Sequence, residues 1–364
     1  MTYRSEGGAL EDEILAVIER WHHHGETLDD ATFGDLALRL FEYQLRYNAP
    51  YARYCARLGA TPESLPDSWE AIPGVPAPAF KEAALTTFEP GSAALVFETS
   101  GTTGPSSGHH YMETRELYDA ALLATFDRLV LPGGARLRYL NLVPNPQERP
   151  TSSLGYMMQR VAEQRGDGQT GWYLRGDRLI LDAFARDVQV AIREGRAVFV
   201  AATAFALVHT LDEMNRANAR FELPPGSRIL ETGGFKGRSR VVDRAELYRR
   251  ACAGFGVEPS AIVAEYGMTE LTSQYYDDPA TRLKVGPPWL RARIVGPDRC
   301  TVAVGEIGAL LHVDLANRSS CIAVQTEDLG IRRDGGFVLL GRERDAAPRG
   351  CSLDAEELQS SFIS

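Results

Sequence analysis

Small hydroxyl residues, glycines and a few carboxylates gather at the ends of apolar runs in this chain, and their types suit the handling of phosphate. Thr99-Ser100-Gly101-Thr102-Thr103-Gly104 follows the apolar run Ala93-Ala94-Leu95-Val96-Phe97. A strand ending in such a loop turns bare backbone N–H groups and hydroxyls toward whatever lies above it, and glycines let the main chain approach an anion closely. A plain Ser/Gly surface turn would use the same residues. The Walker pattern is absent, because no Gly-Lys-Ser/Thr closes the loop.

Three later clusters also follow apolar runs. Glu231-Thr232-Gly233-Gly234-Phe235-Lys236-Gly237 holds a Gly-Gly-aromatic turn that can lie flat against a planar ring, or can be an ordinary strand-to-helix turn. Glu265-Tyr266-Gly267-Met268-Thr269-Glu270 sends an aromatic, a hydroxyl and a carboxylate out of one strand end. A hydroxyl can hold a phosphate oxygen, and a carboxylate can hold Mg²⁺, a hard ion that takes oxygen ligands. The same Thr and Glu could merely cap a helix and complement its dipole. Thr326-Glu327-Asp328-Leu329-Gly330 is followed a short hairpin later by Gly341-Arg342-Glu343-Arg344-Asp345. An aspartate there suits two ribose hydroxyls, which are donors, and each segment alone reads as a β-turn.

The elements that must position these clusters come from periodicity. Leu10, Ile14, Leu15, Ile18 and Trp21 predict a helix over 10–24, closed by His22-His23-His24. Consecutive histidines point to different faces, so a solvated helix end is favoured over a metal site. A second helix is predicted over 31–55, with an aromatic stripe, and 59–79 reads as an extended Pro/Gly connector. A helix over 115–129 and a strand over 137–143 follow, and then a helix capped near Ser152 and Ser153. From Leu179 onward helix and strand alternate: helix to Glu194, strand 197–200, helix 205–217, strand 227–231, helix 241–254, strand 261–264. This rhythm argues an α/β core with mixed, mostly parallel sheets, in which ligands lie beyond the carboxyl ends of strands. After about Thr281 short runs at 290–295, 301–304, 309–313, 322–325 and 337–340 read as antiparallel strands. The expected organisation is an α/β core over 1–280, a small β-rich subdomain over 281–345 and a tail over 346–364 with one short helix.

Composition narrows the class. The chain has 364 residues, 44% of them apolar, enough for a large core, and its net charge of −10 argues against a nucleic-acid partner. The longest apolar run, 197–208, is too short to span a bilayer, and the polar, acidic start is not a signal peptide. Five scattered cysteines without a CxxC pair suggest neither a zinc ribbon nor a disulfide framework. A cytoplasmic protein with free thiols is expected. Cys55, Cys252, Cys300 and Cys321 sit in core-like contexts and are expected to be buried.

In order and spacing, Thr-Ser-Gly-Thr-Thr-Gly, Gly-Gly, Tyr-Gly-Met-Thr-Glu, Thr-Glu-Asp-Leu and Gly-Arg-x-x-Asp resemble the motif series of the adenylate-forming superfamily, over roughly residues 72–345. The resemblance implies an N-terminal-type adenylation core, ATP, Mg²⁺ and a carboxylic-acid substrate that becomes acyl-AMP. It places Thr99, Ser100, Gly101, Thr102, Thr103 and Gly104 around the β- and γ-phosphates. Gly233, Gly234 and Phe235 would pack on adenine, with Tyr266 and Gly267 on its other face. Thr269 would touch the α-phosphate, Glu270 the metal and Asp328 the ribose, with Arg342 nearby.

Two departures are informative. The usual loop ends in Gly-x-Pro-Lys, whereas this one runs Gly104-Pro105-Ser106-Ser107-Gly108-His109-His110, so a histidine or backbone donor would replace the lysine. The usual chain also continues about a hundred residues as a mobile C-terminal lid bearing a catalytic lysine. Here 19 residues follow Asp345 and none is a lysine, so the lid is expected to be absent.

With Ser-Gly-His-His, Ser152–Met158, Gly233–Lys236 and Arg349-Gly350-Cys351-Ser352-Leu353, the chain resembles acyl-protein synthetases, the synthetase component of the fatty-acid reductase of bacterial bioluminescence. That resemblance implies transfer of a fatty acyl group from acyl-AMP to Cys351, and then to a reductase, acyltransferase or carrier protein. Thr269, His110, Lys236 and Cys351 are the catalytic candidates. Arg349 would favour the Cys351 thiolate, the reactive form. Two rivals remain: a ligase that hands its acyl or aminoacyl group to CoA or a carrier phosphopantetheine, and an inactive nucleotide-binding descendant.

Overall fold

The computed structural model describes residues 3–99, 107–233 and 243–342, with side chains from residue 6 to residue 341. Ser100–Gly104, Gly234, Phe235, Lys236, Cys351 and the short helix expected near the C-terminus therefore lie outside the described residues, as does the side chain of Arg342. The chain forms two compact units. One takes everything up to Thr125, Met268–Tyr275 and the chain from Leu283 on; the other takes Phe126–Gly267 and Tyr276–Arg282. The helical N-terminal segment thus shares a unit with the β-rich C-terminal part, and residue 280 does not divide the units.

The second unit is built on a parallel sheet. Its strands run in the order Gly166–Arg175, Leu137–Pro144, Val198–Thr203, Arg228–Thr232, Ile262–Tyr266, every neighbour parallel, with Arg178–Leu179 antiparallel on the edge. The central strands are almost continuously buried, which is why they read as mainly apolar runs, interrupted in Leu137–Pro144 by buried Arg138 and Asn141. Successive side chains alternate faces. Leu140, Val200, Ile229 and Ile262 pack in one core with Phe184, Leu207, Leu247 and Phe255 of helices Leu181–Arg193, Ala204–Arg216 and Arg244–Phe255. On the other face Tyr139 and Phe126 flank Phe199, at ring distances of 4.9 and 5.3 Å.

Side chains start three helices of this unit, Ser153–Arg165, Ala204–Arg216 and Arg244–Phe255. The Ser152 hydroxyl accepts from Gly155 N at 3.1 Å, Thr203 from Ala206 N at 3.1 Å, and Asp243 from Ala245 N at 3.0 Å. Gly256 ends the last one at φ 63°, in the left-handed region that glycine tolerates.

The first unit holds an antiparallel sheet in the order Leu290–Val295, Ile307–Asp314, Ala323–Arg333, Gly336–Arg342, Lys284–Val285, with Val75–Pro76 added parallel to Ala323–Arg333. A separate hairpin pairs Leu95–Glu98 with His109–Met112. Helices α1 (Tyr3–His24), α2 (Asp30–Tyr47) and α3 (Ala49–Arg57) complete it, together with Glu116–Thr125 against α1. The aromatic stripe is core: Phe33, Phe41, Tyr43 and Tyr51 are fully buried, and Phe41 meets Tyr51 edge-on at 5.8 Å.

Several expected elements differ. The single helix over 31–55 is two, broken at Asn48. Its side chain accepts from Tyr51 N at 3.2 Å and caps α3, and Pro50 behind it has no N–H to continue the ladder. His109–Met112 is a strand, although Ser-Gly-His-His looks like loop, because it pairs antiparallel with Leu95–Glu98 just before the Ser/Gly/Thr loop. Gly166–Arg175 is a strand without period-two alternation, carried by pairing to Leu137–Pro144. Thr301–Val304 is not a strand; only Thr301 bridges to Val295. Thr326–Gly330 is not a β-turn but lies inside the strand Ala323–Arg333.

Candidate functional site

At the carboxyl ends of the parallel strands, Thr232 and Glu265 stand in register. The Thr232 hydroxyl donates to Glu265 Oε2. Glu231, Thr232, Glu265 and Tyr266 are all buried although they close their strands. Alternation puts Thr232 and Glu265 on one face and Glu231 and Tyr266 on the other. Gly233 then turns the chain at φ 72°, with nothing within 4 Å of where a Cβ would stand. On the Glu231 side the neighbours are Tyr248 and Arg244. Burial, and after it the Glu231 charge, pushes the Tyr248 phenol above its usual range. Arg244 donates from Nε to the Tyr248 hydroxyl at 3.1 Å and pairs with buried Asp277.

In the other unit Thr269 and Glu270 form a turn, with Leu271 N donating to Met268 O at 3.2 Å. Two side chains from distant parts of the chain take the turn's carbonyls. His110 Nδ1 donates to Thr269 O at 2.7 Å, and Asn317 Nδ2 donates to Glu270 O at 2.9 Å. They also meet each other, His110 Nε2 lying 2.9 Å from Asn317 Oδ1. Both are 1% exposed, which excludes them from direct contact with a solvent-borne ligand. Burial pulls the His110 imidazole down to about 4, outweighing its two hydrogen bonds. The expectation of a histidine in place of the loop lysine therefore does not fit His110, which is buried with its Nδ1 committed to the turn.

Asn317 sits on the loop between strands Ile307–Asp314 and Ala323–Arg333, buried from end to end. Gln44 of α2 donates to Asn317 O at 2.8 Å and Arg318 O at 3.1 Å, and accepts from Ile322 N at 2.7 Å. Asp314 accepts from Thr272 N, Ser273 N, Ser273 Oγ and Ala316 N at 2.9–3.0 Å. Even so, burial pushes the Asp314 carboxyl up to about 6. Arg318 is paired at 2.9 Å with both Glu11 and Glu113. None of these residues was singled out from the sequence. The available signal was the polar run Asn317-Arg318-Ser319-Ser320 between two apolar strands, which reads as an exposed turn until Gln44 and Asp314 are seen to bury it.

The remaining expected residues are placed as follows. The Ser100–Gly104 loop is bracketed by a closed base: Thr99 N donates to Gly108 O at 2.9 Å and Gly108 N to Thr99 Oγ1 at 2.8 Å. Gly108 is required there, since a Cβ would stand 3.1 Å from the Phe80 backbone. Asp328 is half-buried and is the cross-strand partner of Arg342, so the two residues expected near a ribose are neighbours on one ladder. Glu270 is a buried carboxylate beside a partly exposed Thr269 hydroxyl. One carboxylate with a hydroxyl suits Mg²⁺, which keeps several waters and completes its shell from substrate phosphates. Among the described residues no cluster of three or more His, Cys, Asp or Glu could hold a metal by itself. Cys55 and Cys321 are buried, as expected, and burial raises both thiols; Cys252 is only half-buried and Cys300 is exposed, which corrects the expectation for those two. No described helix is long and apolar enough to cross a membrane.

Comparison with known proteins bears on both units. The family model for the acyl-protein synthetase LuxE matches residues 182–359. A curated relative, the long-chain-fatty-acid–luciferin-component ligase of Aliivibrio fischeri, is 28% identical over 152 residues, 38% of this chain and 40% of the relative. The matched segment thus spans well under half of that relative's length. Among solved structures, 2-hydroxyisobutyryl-CoA ligase with 2-HIB-AMP and CoA is similar at a TM-score of 0.64 and 16% identity, over 89% of this chain and 71% of its own. The same ligase in its postadenylation state gives 0.65 and 17%, over 92% and 74%. The fold is that of adenylate-forming ligase cores.

Proposed function

With residues 182–359 matching acyl-protein synthetases on an adenylate-forming fold, we propose that the chain is an AMP-forming ligase that activates a carboxylic acid and passes the acyl group to its own Cys351. The match of the family model carries this reading. A fatty acid is the substrate, in keeping with the curated relative's name.

In the first step a carboxylate oxygen attacks the α-phosphorus of ATP, the bond to the bridging oxygen breaks, and pyrophosphate leaves. The chain's part is positioning and charge neutralisation. The Thr99–Gly104 segment offers hydroxyls and main-chain N–H groups to the outer phosphates, and Lys236 is the catalytic cation of the second motif. Gly233–Phe235 and Tyr266–Gly267 offer flat surfaces to adenine, and Asp328 accepts from ribose hydroxyls with Arg342 beside it. The Thr269 hydroxyl meets the α-phosphate. Glu270 would hold Mg²⁺, which when bound neutralises the charge developing on pyrophosphate. In the second step the Cys351 thiolate attacks the acyl carbon, the bond from that carbon to the phosphate oxygen breaks, AMP leaves with the oxygen and the electron pair, and a thioester remains. The acyl acceptor downstream is a reductase, acyltransferase or carrier protein.

Carboxylate-dependent ATP–pyrophosphate exchange over a panel of chain lengths tests the first step, and no exchange with any acid overturns it. Cys351→Ser tests the second. The variant keeps exchange but loses hydroxylamine-sensitive acyl labelling, whereas labelling that persists, or an intact mass without adduct until CoA or a carrier is added, rules out Cys351.

A further inference from the structure

The Thr269–Glu270 turn has no regular structure to hold it. Its two carbonyls are gripped instead by His110, 159 residues earlier, and Asn317, 47 residues later. Asn317 commits its amide nitrogen twice, to Glu270 O and to Cys321 O, both at 2.9 Å. Its oxygen is thereby turned toward His110 and, at 3.4 Å, toward the Thr272 hydroxyl. A neutral His110 can donate to only one of the two oxygens it faces, and the shorter contact is to the turn. The histidine belongs to the strand that leaves the Ser/Gly/Thr loop; the asparagine belongs to the loop fixed by Gln44 and Asp314. Three segments far apart in sequence are therefore joined at one turn by two side chains that solvent does not reach.

We propose that Asn317 and His110 are positioning residues that fix the peptide planes of Thr269 and Glu270 and so aim the Thr269 hydroxyl and Glu270 carboxylate. The proposal rests on the reading of those two groups as contacts of α-phosphate and Mg²⁺. Removing either clamp leaves a carbonyl of the turn without its side-chain donor, a loss the turn recovers by rotating that peptide. Rotation redirects the adjoining side chain, the Thr269 hydroxyl or the Glu270 carboxylate. Small misplacements of this kind cost about 10²-fold in rate.

The test is exchange kinetics with full-length Asn317→Ala, His110→Phe and His110→Asn, each first shown by circular dichroism to fold. Asn317→Ala and His110→Phe are expected to lower kcat for exchange about 10- to 100-fold and to raise the half-saturating Mg²⁺ concentration about tenfold, with KM for the acid within about twofold. His110→Asn can still donate to Thr269 O and is expected to recover most of the loss. The Asn317→Ala/His110→Phe double variant should lose little more than the worse single one, because both act through one turn. Folded variants with unchanged kcat and Mg²⁺ dependence would overturn the proposal, as would a loss confined to the acid's KM. Mg²⁺-dependent ATP binding by calorimetry on the same proteins separates the two claims. Wild-type protein without exchange overturns the ligase reading alone, and variants that bind Mg·ATP like wild type overturn the clamp alone.

Discussion

Two regions of this molecule bring polar groups together by different means. At the strand ends of the parallel unit, Thr232 and Glu265 meet because two apolar strands pair in register, and each strand is specified by its own run of buried residues. In the other unit, the segment 315–322 has no ladder and is buried throughout, so many of its backbone groups depend on side chains from elsewhere. Gln44, Asn48 and Asp314 supply most of those bonds. A strand end can lose one side chain and keep its shape, because the ladder persists. An irregular buried loop loses an obligatory partner with each truncation. The first arrangement is therefore expected to tolerate substitution and the second to resist it.

Gln44→Ala gives the sharpest contrast. It leaves Asn317 O, Arg318 O and Ile322 N without their donors and acceptor inside a core. At roughly 1–3 kcal/mol for each buried group left unmade, partly relieved by relaxation, the loss should reach about 4 kcal/mol. Urea denaturation should show a lower midpoint with an unchanged slope. A loss under about 1 kcal/mol would mean that the loop is not held as described.

The same contrast explains what could be read from the chain beforehand. Apolar runs alternating with helices made the parallel core legible, and with it the ends at Glu231–Gly233 and Glu265–Tyr266, because parallel strands bury both faces and polar residues gather at their ends. Asp328 was legible as a motif, yet its place inside a strand was hidden by the turn-like Thr-Glu-Asp-Leu-Gly. The loop at Asn317 was not legible at all. Polar residues in a loop look solvated, and what buries them is a glutamine on α2, more than 270 residues away. His110 was noticed for its chemistry, but its neighbours made it a strut. Burial and partnership of this kind are set by tertiary contact and have no period to detect.

Acidity probes the buried loop and its surroundings more gently. His110 is pulled down to about 4 and His312 to about 3, both by burial. Between pH 6.5 and 4 the unfolded chain then binds more protons than the folded one at each site, so stability falls as pH drops through that window. Asp314, raised to about 6, works the other way: between pH 3.8 and 6 the folded protein binds more, and its contribution is lost as pH rises. Two histidines outweigh one aspartate, so the net slope in this range is an increase of stability with pH. His110→Asn should flatten the slope, removing on the order of 3 kcal/mol of its rise between pH 4 and 6.5. Denaturation midpoints measured at half-unit intervals test it, and an unchanged slope would show that His110 does not resist protonation.

Thr232→Val should have the smallest effect, and that is what makes it informative. Valine keeps the β-branched shape, and the ladder from Arg228 to Thr232 does not use the hydroxyl. What is removed is one donor to the Glu265 carboxylate. A hydrogen bond to a charged group contributes roughly 1.5–3 kcal/mol, but Glu265 closes its strand, and a modest shift at a strand end gives the freed oxygen access to water. The expected loss is about 1 kcal/mol, well below that of Gln44→Ala. Should Thr232→Val destabilise as much as Gln44→Ala, the strand end would be as tightly specified as the loop, and the distinction between a site framed by a ladder and one framed by side chains would fail for this fold.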